Sequence, residues 1–381
     1  MSGRTPRVLI LTASYGSGHN RVAAALAHAF RAEGALPQVF DHFESFVSPV
    51  FNRATQALYL ATLRRAPAFW GAAYWLSDHL PIWSPLLLGM NRLGMRRLAR
   101  AIEADRPDLV VSVHPTPAGA LSEMKRRGFF CPPHATVFTD FVVHTQWIYP
   151  NVDSYCVPTD EIRGGLEHRG IPPERVLVSG IPIAPEFSTP PHFLSARKLL
   201  QLDHEPFTVL LMAGAYGGLG RLGDALSALR ALTPPLQITV VCGTDGLLAE
   251  RLRRRWGGRA GIRILGYVQA IHLEMAAADL LITKAGAVTL AEAFAVGLPV
   301  VCYGSLPGQE ASNQRVAEIS GAALVARGPS ALKDTVELLR SDPLLLQKLK
   351  SNAAVNHRPD AAQTVARHLL TAANGHAPHR P

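Results

Sequence analysis

Residues 278–313 read ADLLITKAGAVTLAEAFAVGLPVVCYGSLPGQEASN. Asp279 to Thr283 is a short apolar run with the character of a buried strand. Gly286 interrupts it, Ala287 to Val296 has helical composition, and Gly297 ends that helix. Leu298 to Tyr303 is a second apolar run, closed by the loop GSLPGQE. Strand, turn, helix and strand make one unit of a parallel sheet. Its turn and last loop fall at the carboxyl ends of the strands, where open α/β sheets bind ligands.

The turn TKAGA places Lys284 and small residues, Gly286 among them, at a helix N-terminus, which suits an anionic phosphate. Thr289 and Glu292, three apart, share a helix face, and a carboxylate there can accept both hydroxyls of a ribose. Gln309, Glu310 and Asn313 in PGQE-x-x-N are polar groups able to read sugar hydroxyls. The same stretch also fits an ordinary βαβ unit with a surface glutamate and a polar loop.

Outward from this unit the βα rhythm extends over most of the chain. Buried-strand runs are expected at Arg7–Ala13, Leu36–His42, Leu109–Val113, Ala135–Thr139, Val152–Val157 and Val176–Gly180. After a proline-rich stretch, Ile181 to Pro206, read as an interdomain linker, they resume. The later runs are Phe207–Met212, Leu236–Cys242, Ile262–Leu265, the opening pair and Ala323–Val325. The expectation is an α/β chain of two doubly wound domains facing across a cleft. The domains would span 1–187 and 188–358, with a final helix and tail, 359–381, packing back on the first.

At 381 residues, 48% hydrophobic and 18% charged, the chain is long enough for two well-formed cores and is globular. The net charge of +9 suits an anionic partner. The arginines are scattered, so a nucleic-acid footprint is not evident. Cys131, Cys156, Cys242 and Cys302 stand singly, as buried reduced thiols do. No secretory signal is read before the first strand, and no apolar run reaches the length of a membrane span.

Two further glycine turns carry chemistry. Gly214, Ala215, Tyr216 and Gly217 follow a strand and open a helix, making an anion nest. With Glu292 and Gln309 they fit a nucleoside diphosphate bonded to a sugar. Carboxylates are sparse in these loops, so no metal ion or other cofactor is expected to be required. The other turn, SYGSGHN, lacks the third glycine of a dinucleotide fingerprint. In it Gly16 and Gly18 lead to His19 at a helix start, with the helical stretch itself read over Arg21–Glu33. The positive helix end keeps the imidazole neutral, as a general base requires. Asp140, after a later strand, either orients His19, shares its role or caps a helix. His144 and Trp147 are placed beside an acceptor.

Between Ser45 and Asp105 the pattern changes. Tyr59, Phe69, Trp70, Tyr74, Trp75 and Trp83 alternate with arginines, among them Arg92, Arg96 and Arg97, and with Pro67, Pro81 and Pro85. A few short helices packed on the sheet are one reading. An amphipathic insertion, whose aromatics enter a lipid interface while its arginines meet anionic headgroups, is the other.

Taken in order, SYGSGHNRVAAAL, TDFVVHTQWIYPNVDSYCVPTDE, GIPPERVLVSGIPI, LLMAGAYG, ITKAGAVTLAEAFAVGLPVV and PGQEASN resemble the family of monogalactosyldiacylglycerol synthases and bacterial diacylglycerol β-glucosyltransferases, in glycosyltransferase family 28. The resemblance runs from about Val8 to Val325. It implies a GT-B fold, with UDP-glucose or UDP-galactose bound by the C-terminal domain. It implies inverting transfer to a lipid acceptor, most simply diacylglycerol, and the expected location is the cytoplasmic face of the membrane, with anionic lipids as partners. It also implies His19 as base, Glu292 on the ribose, Gln309 with Glu310 on the sugar, and Thr289 with the 214–217 loop on the diphosphate. Val268 would pair with uracil through its backbone. The family's usual lysine-proline-glycine-glycine turn is here Lys284-Ala285-Gly286-Ala287, which adds methyl groups near the donor phosphates. Another lipid acceptor, a UDP-sugar 2-epimerase and a non-catalytic UDP-sugar sensor are the competing functions.

Overall fold

The computed structural model describes residues 4–214 and 222–375. The chain divides into two compact units, one of residues 1–184 and 358–381, the other of residues 185–357. In the first, β1 (Arg7–Thr12), β2 (Leu36–Asp41), β3 (Leu109–Ser112), β4 (His134–Val137), β5 (Ser154–Val157) and β6 (Val176–Val178) form a sheet in the order β2-β1-β3-β4-β5-β6. In the second, β7 (Thr208–Met212), β8 (Gln237–Val241), β9 (Ile262–Leu265), β10 (Leu280–Thr283), β11 (Val300–Tyr303) and β12 (Ala323–Ala326) run β12-β11-β10-β7-β8-β9. Every strand pair is parallel.

The central strands are short, mainly aliphatic runs. LVVS, TVLLM, QITVV and LLIT are buried at every position, as parallel strands covered by helices on both faces must be. All the expected strand runs are strands. In each sheet the chain winds one way and then reverses. The reversal falls between β1 and β3 in the first unit and between β7 and β10 in the second. Loops on either side of such a reversal part and leave a crevice at the carboxyl ends of the strands.

Two local expectations are corrected. The first helix begins at Ser17, not Arg21, so the poor helix formers Gly18 and His19 lie inside its first turn. Residues 193–206 are no free linker. The helix Phe193–Leu199 sends the buried Arg197 guanidinium to the carbonyls of Ala277, Asp203, His204 and Pro206, to Thr208 Oγ1 and to Asp279. This hub binds the segment to the second sheet.

The 45–105 region forms the helices Pro49–Arg65, Pro67–His79, Pro85–Arg92 and Met95–Asp105. Pro49, Pro67 and Pro85 stand at helix starts, where a missing N–H costs nothing. Met95–Asp105 packs Met95, Leu98 and Ile102 against Leu9, Leu11, Val110 and Leu121. Pro67–His79, by contrast, has no fully buried residue. The helix Ala361–Gly375 lies against Ser17–Ala32 in the first unit, with Arg367 paired to Glu33 at 2.7 Å. Among the described residues no helix is long and apolar enough to cross a membrane.

Candidate active site

In the first unit the reversal between β1 and β3 collects side chains that are far apart in sequence. His19 is the third residue of the helix after β1, and Gly16 is its extended N-cap. His19 Nδ1 lies 2.8 Å from the carbonyl oxygen of Val113, just past β3, and 3.0 Å from Thr139 Oγ1, just past β4. A carbonyl can only accept, so Nδ1 carries the hydrogen and Nε2 holds the lone pair. Burial lowers the His19 pKa below its ordinary value, opposed by the Asp140 charge and by the Val113 carbonyl. The ring is therefore neutral near pH 7, with its basic nitrogen defined. Asp140 is buried and acts on His19 through its charge.

A second histidine, which sequence reasoning missed, completes this crevice. His114 stands edge-on to His19, ring centroids 4.7 Å apart. Its Nδ1 accepts from the Thr116 N–H at 3.2 Å, so its hydrogen is on Nε2. Burial, then His19 and His42, hold its pKa well below the ordinary range. The available signal was its position directly after a strand in VSVHP. Only the strand order shows that this strand neighbours β1.

From His114 a line of aromatic rings leads into the 45–105 helices. Tyr15 lies 6.2 Å from His114 and 5.9 Å from Tyr59, and Tyr59 packs at 4.8 Å on Trp70. Tyr15 also shares a 2.6 Å hydrogen bond with Thr55. The outer surfaces of these helices expose Leu58 (67%), Phe69 (68%), Trp75 (63%) and Trp83 (52%). Arg96 and Arg97 are exposed nearby in sequence, Arg97 donating to the Val47 carbonyl at 2.9 Å. Arg92 shares the Glu123 carboxylate with Arg126 and Arg127, three guanidiniums on one acid, which leaves the cluster cationic.

His144 and Trp147 are both buried, and the Trp147 ring lies 6.2 Å from that of His19. Trp147 is buried and stacks on Phe138 at 4.9 Å. His144 is buried with Nε2 between Ser77 Oγ at 3.2 Å and the Tyr74 carbonyl at 3.3 Å. Beside it, the Thr145 N–H donates to Asp78 at 2.7 Å. These residues fasten the Pro67–His79 helix to the first unit; the sequence pattern does not distinguish such a clamp from a ligand contact.

In the second unit the reversal lies between β7 and β10. Gly214 follows β7 with φ of +77°, a conformation that excludes most side chains. Ala215, Tyr216 and Gly217 lie outside the described residues. Lys284 follows β10, and its Nζ donates to Glu310 Oε1 at 2.5 Å. The neighbouring Ala285 N–H donates to Ser305 Oγ at 3.2 Å, stitching the loop after β10 to the loop after β11. Gly286 caps the helix Ala287–Ala295, on which Thr289 is half-buried and Glu292 buried. Gly308, with φ of +96°, turns the chain into the helix Gln309–Ile319. Gln309 is half-buried at its start, while Asn313 is fully buried within it. Val268 is half-buried in the loop after β9.

The methyl groups that depart from the family's turn are both buried: Ala285 and Ala287 point into the unit's interior. Asn313, read from the sequence as a sugar contact, is fully buried.

Comparison with known proteins places these features. Residues 19–183 match the model for monogalactosyldiacylglycerol (MGDG) synthase, and residues 222–365 match the glycosyltransferase family 28 C-terminal domain. A processive diacylglycerol beta-glucosyltransferase of Bacillus cytotoxicus is 31% identical over 379 residues, 99% of this chain and 97% of that one. Among solved structures, MurG of Acinetobacter baumannii aligns with a TM-score of 0.63 at 16% identity, covering 96% of this chain and 99% of that chain. A UDP co-structure of MnaA from S. aureus aligns with a TM-score of 0.67 at 13% identity, covering 97% of each. At such identities the structures speak for the fold alone, and that fold is GT-B. The near full-length similarity in sequence carries more: the chain belongs to the monogalactosyldiacylglycerol synthase and diacylglycerol β-glucosyltransferase family, and is a UDP-sugar-dependent glycosyltransferase of family 28.

Proposed function

We propose that this enzyme transfers glucose from UDP-glucose to the free hydroxyl of diacylglycerol, forming a β-glucosyl lipid by a single inverting displacement. The observation that carries this reading is the locked tautomer of His19. The acceptor O–H gives its proton to Nε2 as its oxygen attacks the anomeric carbon. The bond from that carbon to the diphosphate oxygen breaks, and UDP leaves with the electron pair. Inversion of an α-linked donor yields the β-glycoside, in keeping with the name of the Bacillus relative. Asp140 stabilises the imidazolium as it forms. Glu292 and Val268 are assigned to ribose and uracil, Gln309 to the hexose, and Lys284 with the ends of the helices to the departing diphosphate. On this assignment the reaction needs no metal ion, and activity survives a chelator.

The exposed aromatic surface of the 45–105 helices supports peripheral binding to a membrane, with the arginines meeting anionic headgroups. The cytoplasmic leaflet, where UDP-sugars and anionic lipids meet, is the assigned location. The test is incubation with vesicles containing diacylglycerol, with and without anionic lipid, and labelled UDP-glucose or UDP-galactose. Label in the lipid phase from UDP-glucose, lost in His19→Ala, is the expected result. UDP binding without transfer from either donor would overturn the acceptor assignment.

A further inference from the structure

Both oxygens of the Glu310 carboxylate are engaged within the second unit. Oε1 accepts from Lys284 Nζ, and Oε2 accepts from the Leu306 N–H at 2.9 Å. The residue is buried at the start of its helix. Its lysine partner is held from the other side as well. A Cβ built on Gly214 would stand 2.6 Å from Lys284 Cε, so the lysine stem crosses the glycine where a side chain would be. Lys284 and Gly214 end β10 and β7, the two strands that flank the reversal in the second sheet. An ammonium has three N–H donors and Glu310 takes one, which leaves two for phosphate oxygens.

We propose that Glu310 is a positioning residue that holds Lys284 across Gly214 to receive the diphosphate of the donor, and that it does not read the donor's sugar. The inference rests on the UDP-sugar reading above and deepens it. The tie to the Leu306 N–H serves the same end, because it fixes the loop from which Gln309 projects. Turning the carboxylate away toward a sugar would cost both bonds and leave an ammonium partly buried without its counter-ion.

UDP and UDP-glucose separate the two roles, since only the second carries the sugar. Binding of each is measured by calorimetry to the wild type, Glu310→Ala, Lys284→Met and the double variant. Loss of Lys284 is expected to weaken both ligands about tenfold or more. Glu310→Ala is expected to weaken UDP and UDP-glucose by the same factor, and the double variant to bind no worse than Lys284→Met. A Glu310→Ala protein that binds UDP normally and UDP-glucose poorly would overturn the proposal. So would a Lys284→Met protein with unchanged UDP affinity. If Glu310→Ala does not fold, Glu310→Gln decides. Its amide oxygen still accepts from Leu306 while its hold on Lys284 weakens, and an equal loss for both ligands is again expected. Failure of the wild type itself to bind UDP would instead bring down the UDP-sugar reading and this inference with it.

Discussion

The Nδ1 atom of His19 and the carbonyl oxygen of Val113, 2.8 Å apart, are separated by 94 positions in the chain. The helix after β1 and the end of β3 meet only because the sheet reverses direction between those strands. That hydrogen bond assigns the ring's proton to one nitrogen and leaves the other as the base.

Removing the imidazole removes the base without touching the second unit. His19→Ala is expected to lower kcat about 10³-fold while UDP affinity stays unchanged. Transfer to lipid and calorimetry on the same preparations check both parts.

The pH profile reports on Asp140. Burial places the His19 pKa below its ordinary value, while the Asp140 carboxylate raises it by favouring the imidazolium. Activity is then full near pH 7 and falls as pH drops through the His19 pKa. Removing the carboxylate in Asp140→Asn lowers that pKa further, so the acid limb of kcat/KM moves to lower pH. A limb that stays in place or moves upward would contradict the assignment.

His42 makes stability depend on pH. It is buried, donates through Nε2 to the Leu93 carbonyl at 3.0 Å, and burial pushes its pKa down to about 4. The unfolded chain therefore binds this proton more readily than the folded one. The contribution is fully present above the ordinary histidine pKa and is lost as pH falls towards 4, by on the order of 3 kcal/mol. Urea titrations at pH 7 and pH 4.5 should show the decline, and His42→Gln should lessen it, the other buried histidines accounting for the rest.

Arg197 is the structural counterpart in the second unit. Its truncation to alanine leaves several carbonyls without their donor and the Asp279 carboxylate without its counter-ion, a loss of about 3–5 kcal/mol. Lysine, lacking the planar fork, is not expected to rescue it. Denaturant unfolding of Arg197→Ala and Arg197→Lys tests both statements.

The exposed rings of the 45–105 helices are predicted to act at the membrane and not in the core. Phe69→Ser with Trp75→Ser should reduce partition onto anionic vesicles about tenfold or more and leave the urea midpoint nearly unchanged. Sedimentation with vesicles and an unfolding curve distinguish this from simple destabilisation.

Much of the fold was legible because parallel strands covered on both faces must be aliphatic throughout. The runs at Thr208–Met212 and Leu280–Thr283 announce themselves by composition. Helix starts were less legible. Gly18 and His19 are poor helix formers, yet they occupy a first turn. The prolines of the 45–105 region read as interruptions, although several of them begin helices.

The candidate site was legible wherever its parts are local. His19 in its glycine turn, Lys284 before its helix and Glu310 beside Gln309 all stand in short motifs. His114 was missed because its only mark in the chain is its place directly after a strand, and the burial of His144 and Trp147 was not legible because a buried clamp and a ligand contact share one sequence pattern.

Sequence alone thus determined the class of fold, the family and the residues able to do acid–base and phosphate chemistry, since these follow from hydrophobic period and short motifs. Tertiary structure decided which of those residues are neighbours and which atoms remain available to a ligand. Strand order brings His114 to His19 and Gly214 to Lys284, and packing buries Asn313, Trp147 and Glu310 among their neighbours. Both are properties of packing in three dimensions, which no one-dimensional period contains.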